Sequence, residues 1–362
     1  MHIGLTYDRR ATYLAAGWSV EQAGEFDQDE TIDALESALQ SRGHVVDRIG
    51  HIRQLVRRLA DGQRWDLVFN ICEGAFGAGR EAQVPALLEA YGIAYTFSDP
   101  LVMGLCLDKA MAKAMVRQAG LAAPDGWLVR TLDEVPHPPN RFFPLFVKPV
   151  AEGTGKGIST ASIVHDRRGL LEQCRTLLEQ FRQPVLVETY LAGREFTVGL
   201  IGTGTASRVL GTLEIRLTAG AEPGVYSFYN KEYCERLVEY ILVRPADPTV
   251  AAVEQLALDA WQALGCRDAG RIDVRCDADG KPCFLEANPL AGLHPTHSDL
   301  PMLCTALGIS YEQLIDWIVS SAACRIPQAA VCRRKLERLD ELPDDRQPVS
   351  ANSSRQCDPN KL

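Results

Sequence analysis

The chain has 362 residues, 47 acidic against 38 basic side chains, a net charge of -9 and an apolar content of 46%. This is ordinary globular composition, and one hydrophobic core rarely serves so long a chain, so we expect two or three domains. The negative charge argues against general nucleic-acid binding, and no run of about 18 uncharged apolar residues supports a membrane span. The amino terminus has no secretory apolar region, so we expect a cytoplasmic protein.

The first hundred residues alternate short apolar strands with helices. The predicted strands cover residues 2–7, 45–49, 66–71 and 93–97, and the predicted helices cover 29–41 and 81–91, with an amphipathic segment at 51–60. Strands that alternate with helices in this way predict a parallel sheet covered by helices. We therefore expect a Rossmann-like α/β domain over residues 1–98.

The pattern changes after residue 98. Helices are predicted at 109–119, 168–181 and 249–264, and strands at 145–147, 185–188 and 195–201, followed by a hairpin and two final helices up to about 323. We expect a central subdomain at 99–184 and a carboxy-terminal subdomain at 185–323. Residues 324–362 are polar and rich in Pro, Ser and Asp, which predicts a disordered tail.

Eleven cysteines are scattered singly along the chain, and no CxxC pair occurs. Disulfides and a zinc site are therefore not expected, and most of these cysteines should be small buried apolar residues. His294 and His297 could suggest a transition metal. Because no third soft ligand stands near them in the sequence, we favour pocket lining or helix capping.

The segment 270–288, GRIDVRCDADGKPCFLEAN, carries the most informative pattern. Asp279-Gly280 is a two-residue hairpin signal, and a turn there places Asp273 opposite Glu286 and Arg271 opposite Asn288 on one face. Two carboxylates and an amide oxygen suit Mg²⁺, and Arg271 can neutralise charge on a substrate. A surface hairpin with Arg–carboxylate pairs is the alternative, but repulsion between the facing acids favours a metal.

Two further segments could bind a nucleotide. Three alternate glycines in residues 152–157 let backbone N–H groups turn toward an anion beside Lys156, although a flexible turn is the alternative. The apolar strand that ends in Glu188 could present its backbone to adenine, and Glu195 could hold a ribose. A solvated strand end is the alternative there.

Four ordered motifs resemble the ATP-grasp core of D-alanine–D-alanine ligases over residues 99–319. They are VKPVAEGTGKGIS, VLVETYLAGREFTVGL, YSFYNKEY and GRIDVRCDADGKPCFLEAN. The resemblance implies an α/β ATP-grasp fold with the Rossmann-like domain in front of it. It also implies an ATP-dependent carboxylate–amine ligase that uses two Mg²⁺ ions, for which Mn²⁺ could substitute.

The resemblance implies a role for each matching residue. The implied ATP contacts are Lys109, Lys148, Glu152, Gly153, Thr154, Gly155, Gly157, Glu188, Leu191, Glu195 and Lys231, the last from a mobile loop at 217–235. The implied Mg²⁺ ligands are Asp273, Glu286 and Asn288. Arg271 and the backbone N–H of Gly292 would stabilise a tetrahedral oxyanion. The implied reaction forms an acyl phosphate, which an amine attacks, and releases ADP and phosphate.

Departures from the family concern the substrates. The family's Ser-Ala-Glu-Arg-Glu stretch is replaced by TYDRRATYLAAGWSVEQAG, Glu232 stands where D-alanine enzymes have Tyr, and Pro289-Leu290-Ala291-Gly292 replaces Thr-Ser-Pro-Gly. Ser298 matches the residue that contacts the second substrate's carboxylate. The remaining substrate candidates are Glu73, Arg80 and Glu81, for which N-cap and surface positions are the alternative.

We expect a homodimer that joins small carboxylate and amine substrates, with an amino acid or small peptide on at least one side, and no nucleic-acid or membrane partner. One alternative is the same chemistry on a specialised-metabolite carboxylate. Another is a nucleotide-binding regulator without turnover. The intact set of Lys148, Asp273, Glu286 and Asn288 disfavours the regulator.

Overall fold

The computed structural model describes the backbone of residues 1–340 and side chains up to residue 336. The strands are β1 (His2–Thr6), β2 (Val45–Gly50), β3 (Leu67–Asn70), β4 (Ala94–Tyr95), β5 (Gly126–Val129), β6 (Leu145–Pro149), β7 (Ile163–Val164), β8 (Val185–Thr189), β9 (Glu195–Ile201), β10 (Arg208–Leu217), β11 (Val238–Val243), β12 (Ala269–Cys276) and β13 (Pro282–Asn288). The helices are α1 (Arg10–Ala15), α2 (Asp29–Ser41), α3 (Ile52–Ala60), α4 (Gln83–Ala90), α5 (Pro100–Leu107), α6 (Lys109–Gln118), α7 (Arg167–Phe181), α8 (Phe228–Glu232), α9 (Cys234–Leu237), α10 (Pro248–Leu264), α11 (Asp299–Ala306), α12 (Tyr311–Ala323) and α13 (Ile326–Asp340).

The amino-terminal sheet is parallel, with strand order β2-β1-β3-β4. Helix α2 shows why these elements form. Its buried side chains, Ile32, Leu35, Ala38 and Leu39, recur at helical spacing, and Asp29 and Glu30 lie in its first turn, where acids favour the helix dipole. The predicted parallel sheet and the predicted helix at 29–41 are confirmed.

Two antiparallel sheets follow and hold the cleft between them. The smaller sheet has the order β5-β8-β6-β7 and packs against α7, and the larger has the order β11-β10-β9-β12-β13. Trp261 of α10 is fully buried against the larger sheet. This arrangement sets β6 and β8 of one sheet opposite β12 and β13 of the other, which positions the site described below.

The hydrophobic core of the amino-terminal domain is completed from the far end of the chain. Ile3 and Leu35 share one cluster with Leu314 and Ile318 of α12. The core therefore joins elements that the predicted division at residues 98, 184 and 323 assigns to different units. That division remains a prediction.

Helix α13 corrects part of the expectation of a disordered tail from residue 324. Ile326 and Ala329 pack against the core, and the Arg333 guanidinium donates a hydrogen bond to the carbonyl oxygen of Gly92 at 3.3 Å. The polar composition of the last forty residues conceals this helix, because its apolar contacts are few. The expectation for residues 341–362 lies outside the described residues.

The buried carboxylate of Asp268 ties three parts of the fold together. It accepts hydrogen bonds from the backbone N–H of Phe97 at 2.7 Å, from the Ser321 hydroxyl at 2.7 Å and from the Arg325 guanidinium at 2.6 and 2.8 Å. Its φ of 63° lies in the left-handed region, which Asp and Asn tolerate better than other residues with a side chain. One negative charge therefore holds the end of the parallel sheet to α12 and the residues behind it.

Replacing Asp268 with Asn is expected to lower the free energy of unfolding by about 3 kcal/mol, because it leaves the Arg325 guanidinium without its counter-charge. Asn keeps the backbone conformation, so the loss reports the charge. Urea denaturation measures it. Asp279→Asn, in an exposed loop, is the control and should change stability by less than about 0.5 kcal/mol. An equally small change at Asp268 would contradict the role assigned to it.

Candidate active site

Two adjoining cavities of about 200 and 70 Å³ lie in the cleft. Both are lined by Lys109, Glu152, Lys231 and Glu286. Of the other residues that the sequence analysis selected, the larger cavity has Glu73, Glu81, Gly153, Thr154, Arg271, Asn288, Gly292 and Ser298. The smaller cavity has Lys148, Gly155, Glu188, Leu191, Glu195 and Asp273. Apart from Arg80 and Gly157, the selected residues thus meet in one place, while their individual roles remain predictions.

The β12–β13 hairpin has the predicted facing pairs. Asp273 lies opposite Glu286, and Arg271 lies opposite Asn288. The predicted two-residue turn is wrong, because Cys276 pairs with Pro282 and five residues, 277–281, connect the strands. An additional residue in β13 between the partners of Asp273 and Val274 forms a bulge that offsets the longer loop. The longer loop and the bulge thus compensate for each other, so Asp273 and Glu286 pair as predicted.

Opposite charges surround the facing carboxylates of this hairpin. The Arg271 guanidinium donates to Asp299 at 2.7 Å and to Asp273 at 3.1 Å, and the Lys109 ammonium lies 3.2 Å from Glu286. Burial raises the pKa of Asp273 to about 7. Burial alone would also raise the pKa of Glu286. The positive charges of Lys109, Lys231 and other basic groups outweigh that effect and hold it well below its usual range.

These residues fit a hard divalent cation. The side-chain amide nitrogen of Asn288 donates a hydrogen bond to Asp273 at 3.3 Å. The side-chain carbonyl oxygen of Asn288 therefore remains available beside the two carboxylates. Three oxygen donors with no sulfur or imidazole among them suit Mg²⁺ better than a soft metal. Asp299, which orients Arg271, was not selected from the sequence, because nothing near residue 299 indicates a partner 28 positions earlier.

Glu188 is the acceptor for two buried lysines. Its carboxylate lies 2.7 Å from the Lys148 ammonium and 2.9 Å from the Lys113 ammonium, which also donates to the carbonyl oxygen of Leu285 at 2.7 Å. The Glu188 side chain is therefore engaged inside the protein, so only its backbone groups remain free for the predicted contact with adenine. Lys113 was not selected, although its position four residues after Lys109 places both on one helix face.

The glycine-rich loop is fastened by Glu25, a residue that the sequence analysis did not select. The Glu25 carboxylate accepts hydrogen bonds from the backbone N–H of Gly153 at 2.7 Å, from Lys156 at 2.9 Å and from Arg80 at 3.2 Å. Arg80 therefore lies behind the loop rather than in a cavity. The only sequence signal for Glu25 is its position directly after the stretch that departs from the family, which ends at Gly24.

The same loop touches the segment that carries Lys231. Gly155 has a φ of 73°, and a Cβ there would lie 2.7 Å from the backbone nitrogen of Phe228 in α8. A glycine is thus required at this contact. The Lys231 ammonium lies 4.5 Å from the centre of the Tyr226 ring and faces both cavities. The glycine-rich loop and the 217–235 segment consequently meet above the cleft.

The far end of the larger cavity is acidic. Burial and the nearby carboxylate of Asp8 raise the pKa of Asp27, whose Oδ2 has no hydrogen-bond partner among the described residues. Burial, opposed in part by Arg80, raises the pKa of Glu81 to about 7, and burial with the charge of Glu81 raises that of Glu73.

Across this cavity the Ser298 hydroxyl accepts a hydrogen bond from the backbone N–H of His294 at 3.0 Å.

Comparison with known proteins agrees with this geometry. Residues 118–320 match the family model of the D-ala D-ala ligase C-terminus. The D-alanine–D-alanine ligase of Bordetella petrii is 35% identical over 267 residues, which are 74% of this chain and 78% of that relative. The chain belongs to the D-alanine–D-alanine ligase family. The enzyme of the same name from Methylobacterium radiotolerans is 31% identical over 87% of this chain and 98% of its own length.

Solved structures of the family share the fold. The Bacillus anthracis D-alanine–D-alanine ligase complexed with ATP has a TM-score of 0.69 at 24% identity, covering 91% of this chain and 99% of that one. The VanG D-Ala:D-Ser ligase of Enterococcus faecalis has a TM-score of 0.67 at 20% identity, covering 89% and 99%. The predicted ATP-grasp fold is confirmed, as is the prediction of an ATP-dependent ligase that forms a carbon–nitrogen bond. No helix within residues 1–340 is long and apolar enough to cross a membrane.

Replacing Glu25 with Gln should loosen the glycine-rich loop, because the neutral amide bonds Lys156 and Arg80 less strongly. A hydrogen bond to a charged group contributes about 1.5 kcal/mol or more, so amide exchange at 153–157 should accelerate by about 10-fold. Hydrogen exchange of the ligand-free protein measures this. Glu179→Gln, on the exposed face of α7, is the control. Equal protection in both variants would show that Glu25 does not fasten the loop.

The buried Lys113 should make stability depend on pH. Burial, with the charge of Lys148 and against that of Glu188, lowers the pKa of Lys113 from 10.5 to about 7. Between these values the unfolded chain binds the additional proton, so the free energy of unfolding rises with pH by up to about 1.4 kcal/mol per unit. Replacing Lys113 with Met removes this contribution.

Urea denaturation from pH 6.5 to 9 compares the wild type with Lys113→Met. The stability of the wild type relative to the variant should increase as the pH rises above about 7. Lys281→Met, at an exposed position, controls for the loss of one positive charge. A stability difference that stays constant or falls over this range would refute the assignment.

Proposed function

We propose that the protein joins the carboxylate of one amino acid or small peptide to the amine of a second, through an acyl phosphate, and releases ADP and phosphate. The observation that carries the proposal is the convergence of Asp273, Glu286 and Asn288 with Arg271 and Lys231 at one cleft. A binding protein without turnover has no need of so many ionised groups at one point. Their burial is costly unless a charged ligand or reaction uses them.

The smaller cavity is the proposed nucleotide site. Lys109, Lys148 and Lys231 would neutralise phosphate oxygens, and the glycine-rich loop would cover them with backbone N–H groups. Leu191 and the backbone at Glu188 would contact adenine, and Glu195, now 3.1 Å from Arg275, would accept the ribose hydroxyls. Two Mg²⁺ ions at Asp273, Glu286 and Asn288, or Mn²⁺ in their place, would neutralise charge on the transferred phosphoryl group.

Arg271 and Gly292 are the proposed oxyanion donors. Asp299 and Asp273 hold the Arg271 guanidinium in place, so it needs little reorganisation when negative charge develops. The backbone N–H of Gly292 would supply a second donor from the opposite wall. Closure of the 217–235 segment over the glycine-rich loop, which it already touches at Phe228, would exclude water from an acyl phosphate.

The acidic end of the larger cavity is the proposed site for the ammonium group of the first substrate. Asp27, Glu73 and Glu81 bring three carboxylates together, and their raised pKa values support the proposal, because a bound ammonium group would stabilise the ionised carboxylates. Ser298 would bind the carboxylate of the second substrate. The relatives are named for D-alanine, but the stretch before Asp27 differs from the family, so we propose an amino acid without specifying its side chain.

The homodimer and the cytoplasmic location expected from the sequence remain predictions. Light scattering coupled to size-exclusion chromatography tests the first, and cell fractionation tests the second.

An isotope experiment tests the proposed reaction. Paired amino acids and dipeptides are first screened for ADP release, and the active first substrate is then labelled with heavy oxygen in its carboxylate. Attack by that carboxylate on the γ-phosphate transfers one labelled oxygen to each phosphate released. Label in AMP, or unlabelled phosphate at full product yield, would rule the mechanism out, and a regulator would give no sustained ADP release.

The variant Glu286→Gln should lower kcat by about 100-fold or more, because the proposed Mg²⁺ ligand loses its charge. The exposed Glu239→Gln in β11 is the control and should keep full activity. Near-normal turnover in Glu286→Gln would remove the metal assignment while leaving the isotope result interpretable.

A further inference from the structure

Three side chains with metal-binding atoms meet beside the larger cavity. Cys234 begins α9, Glu235 follows it, and His297 lies in the loop before α11. Their ligand atoms all lie within 4.8 Å of one another. No further soft ligand stands near His294 and His297 in the sequence, but the fold supplies one, Cys234, 63 positions before His297 in the chain.

The separations between these atoms resemble the edges of a metal coordination tetrahedron. Cys234 Sγ lies 3.7 Å from His297 Nδ1, and Glu235 Oε1 lies 3.2 Å from the same nitrogen. Tetrahedral Zn²⁺ with ordinary bond lengths separates sulfur from nitrogen by about 3.5 Å and nitrogen from oxygen by about 3.4 Å. Small side-chain movements would therefore suffice for all three atoms to bind one ion.

The burial of the three residues suits a site that an ion can enter. Cys234 is 3% exposed, whereas the side chains of His297 and Glu235 are 36% and 68% exposed. The thiol thus lies at the base of the group and the two other ligands lie at the surface. A hydrogen-bonded chain through a protonated His297 is the alternative that an experiment must exclude.

We propose that Cys234, Glu235 and His297 form a binding site for Zn²⁺ or another thiophilic divalent cation. Thiolate and imidazole favour such ions over Mg²⁺, which distinguishes this site from the oxygen donors of the β12–β13 hairpin. Binding releases the thiol proton of Cys234, and a water molecule completes the tetrahedron.

An ion at this site would connect the segment that the proposed reaction needs to move with a loop that lines the larger cavity. Lys231 lies three residues before Cys234, and Ser298 follows His297. The ion would fasten the 217–235 segment to the loop that carries Ser298, so the closure and opening proposed above would be hindered. On the proposed function, Zn²⁺ bound here should therefore inhibit turnover from outside the Mg²⁺ site.

Titration with Co²⁺ in excess Mg²⁺ tests the site without requiring any activity. A thiolate ligand gives a charge-transfer absorption in the near ultraviolet, and a tetrahedral site gives strong visible bands. Wild-type protein should show both, and Cys234→Ser should lose the first. Zn²⁺ affinity, measured by competition, should fall in His297→Gln and Glu235→Gln by more than the roughly 10- to 100-fold typical for an outer partner of a ligand.

Cys324→Ser and His165→Gln change exposed residues outside the group and serve as matched controls that should bind Co²⁺ like the wild type. Absence of the thiolate band in the wild type would overturn the proposal, as would full Zn²⁺ affinity in both His297→Gln and Glu235→Gln. These two variants alter side chains that are partly or largely exposed, so they decide the question even if Cys234→Ser does not fold. Inhibition of ADP release by Zn²⁺ in the wild type, but not in these two variants, tests the effect on turnover separately.

Discussion

The buried glutamates of the two facing strands β8 and β13 are each paired with a lysine from a different element, and the site depends on this constraint. Glu188 of β8 is held by Lys148 of β6 and Lys113 of α6, while Glu286 of β13 is held by Lys109. Removing one member would leave an uncompensated buried charge, which costs several kcal/mol. The protein can therefore keep Lys109, Lys113 and Lys148 close together without a ligand. On the proposed function, the phosphates of ATP would bind lysines that the carboxylates already orient.

The position of Glu25 links the two ends of the cleft. Its carboxylate holds the glycine-rich loop, and Asp27, two residues later, lines the acidic end of the larger cavity. A sequence change at Glu25 or Asp27 would therefore affect both the acidic end of the larger cavity and the glycine-rich loop, which we propose covers the nucleotide.

The sequence predicted those features that follow from local periodicity. The alternation of side chains along a strand was enough to place Asp273, Glu286, Arg271 and Asn288 on one face. The predicted turn was too short, but the bulge in β13 restored the predicted pairing of these residues. Residues held by distant partners were not predicted: Glu25 meets Gly153 128 positions away, and Lys113 meets Leu285 172 positions away. Sequence patterns relate residues that are close together in the chain. The contacts of Glu25 and Lys113 depend instead on how elements that are distant in the chain pack against each other. Helix α13 was missed for the same reason, since its contacts at Gly92 and Trp65 lie in the first hundred residues.

The core shared by β1, α2 and α12 has a consequence for synthesis of the chain. Phe97 leaves the ribosome 171 residues before Asp268, which accepts its N–H, and α12 follows later still. At a synthesis rate of about 5–20 residues per second, the Asp268 carboxylate emerges roughly 10 to 35 s after the amino-terminal domain. During this interval the apolar surface of Ile3 and Leu35 lacks its cover from Leu314 and Ile318. The nascent chain thus exposes an apolar surface of the kind that chaperones bind. A fragment truncated before α12 would lack part of its core and would be prone to aggregate.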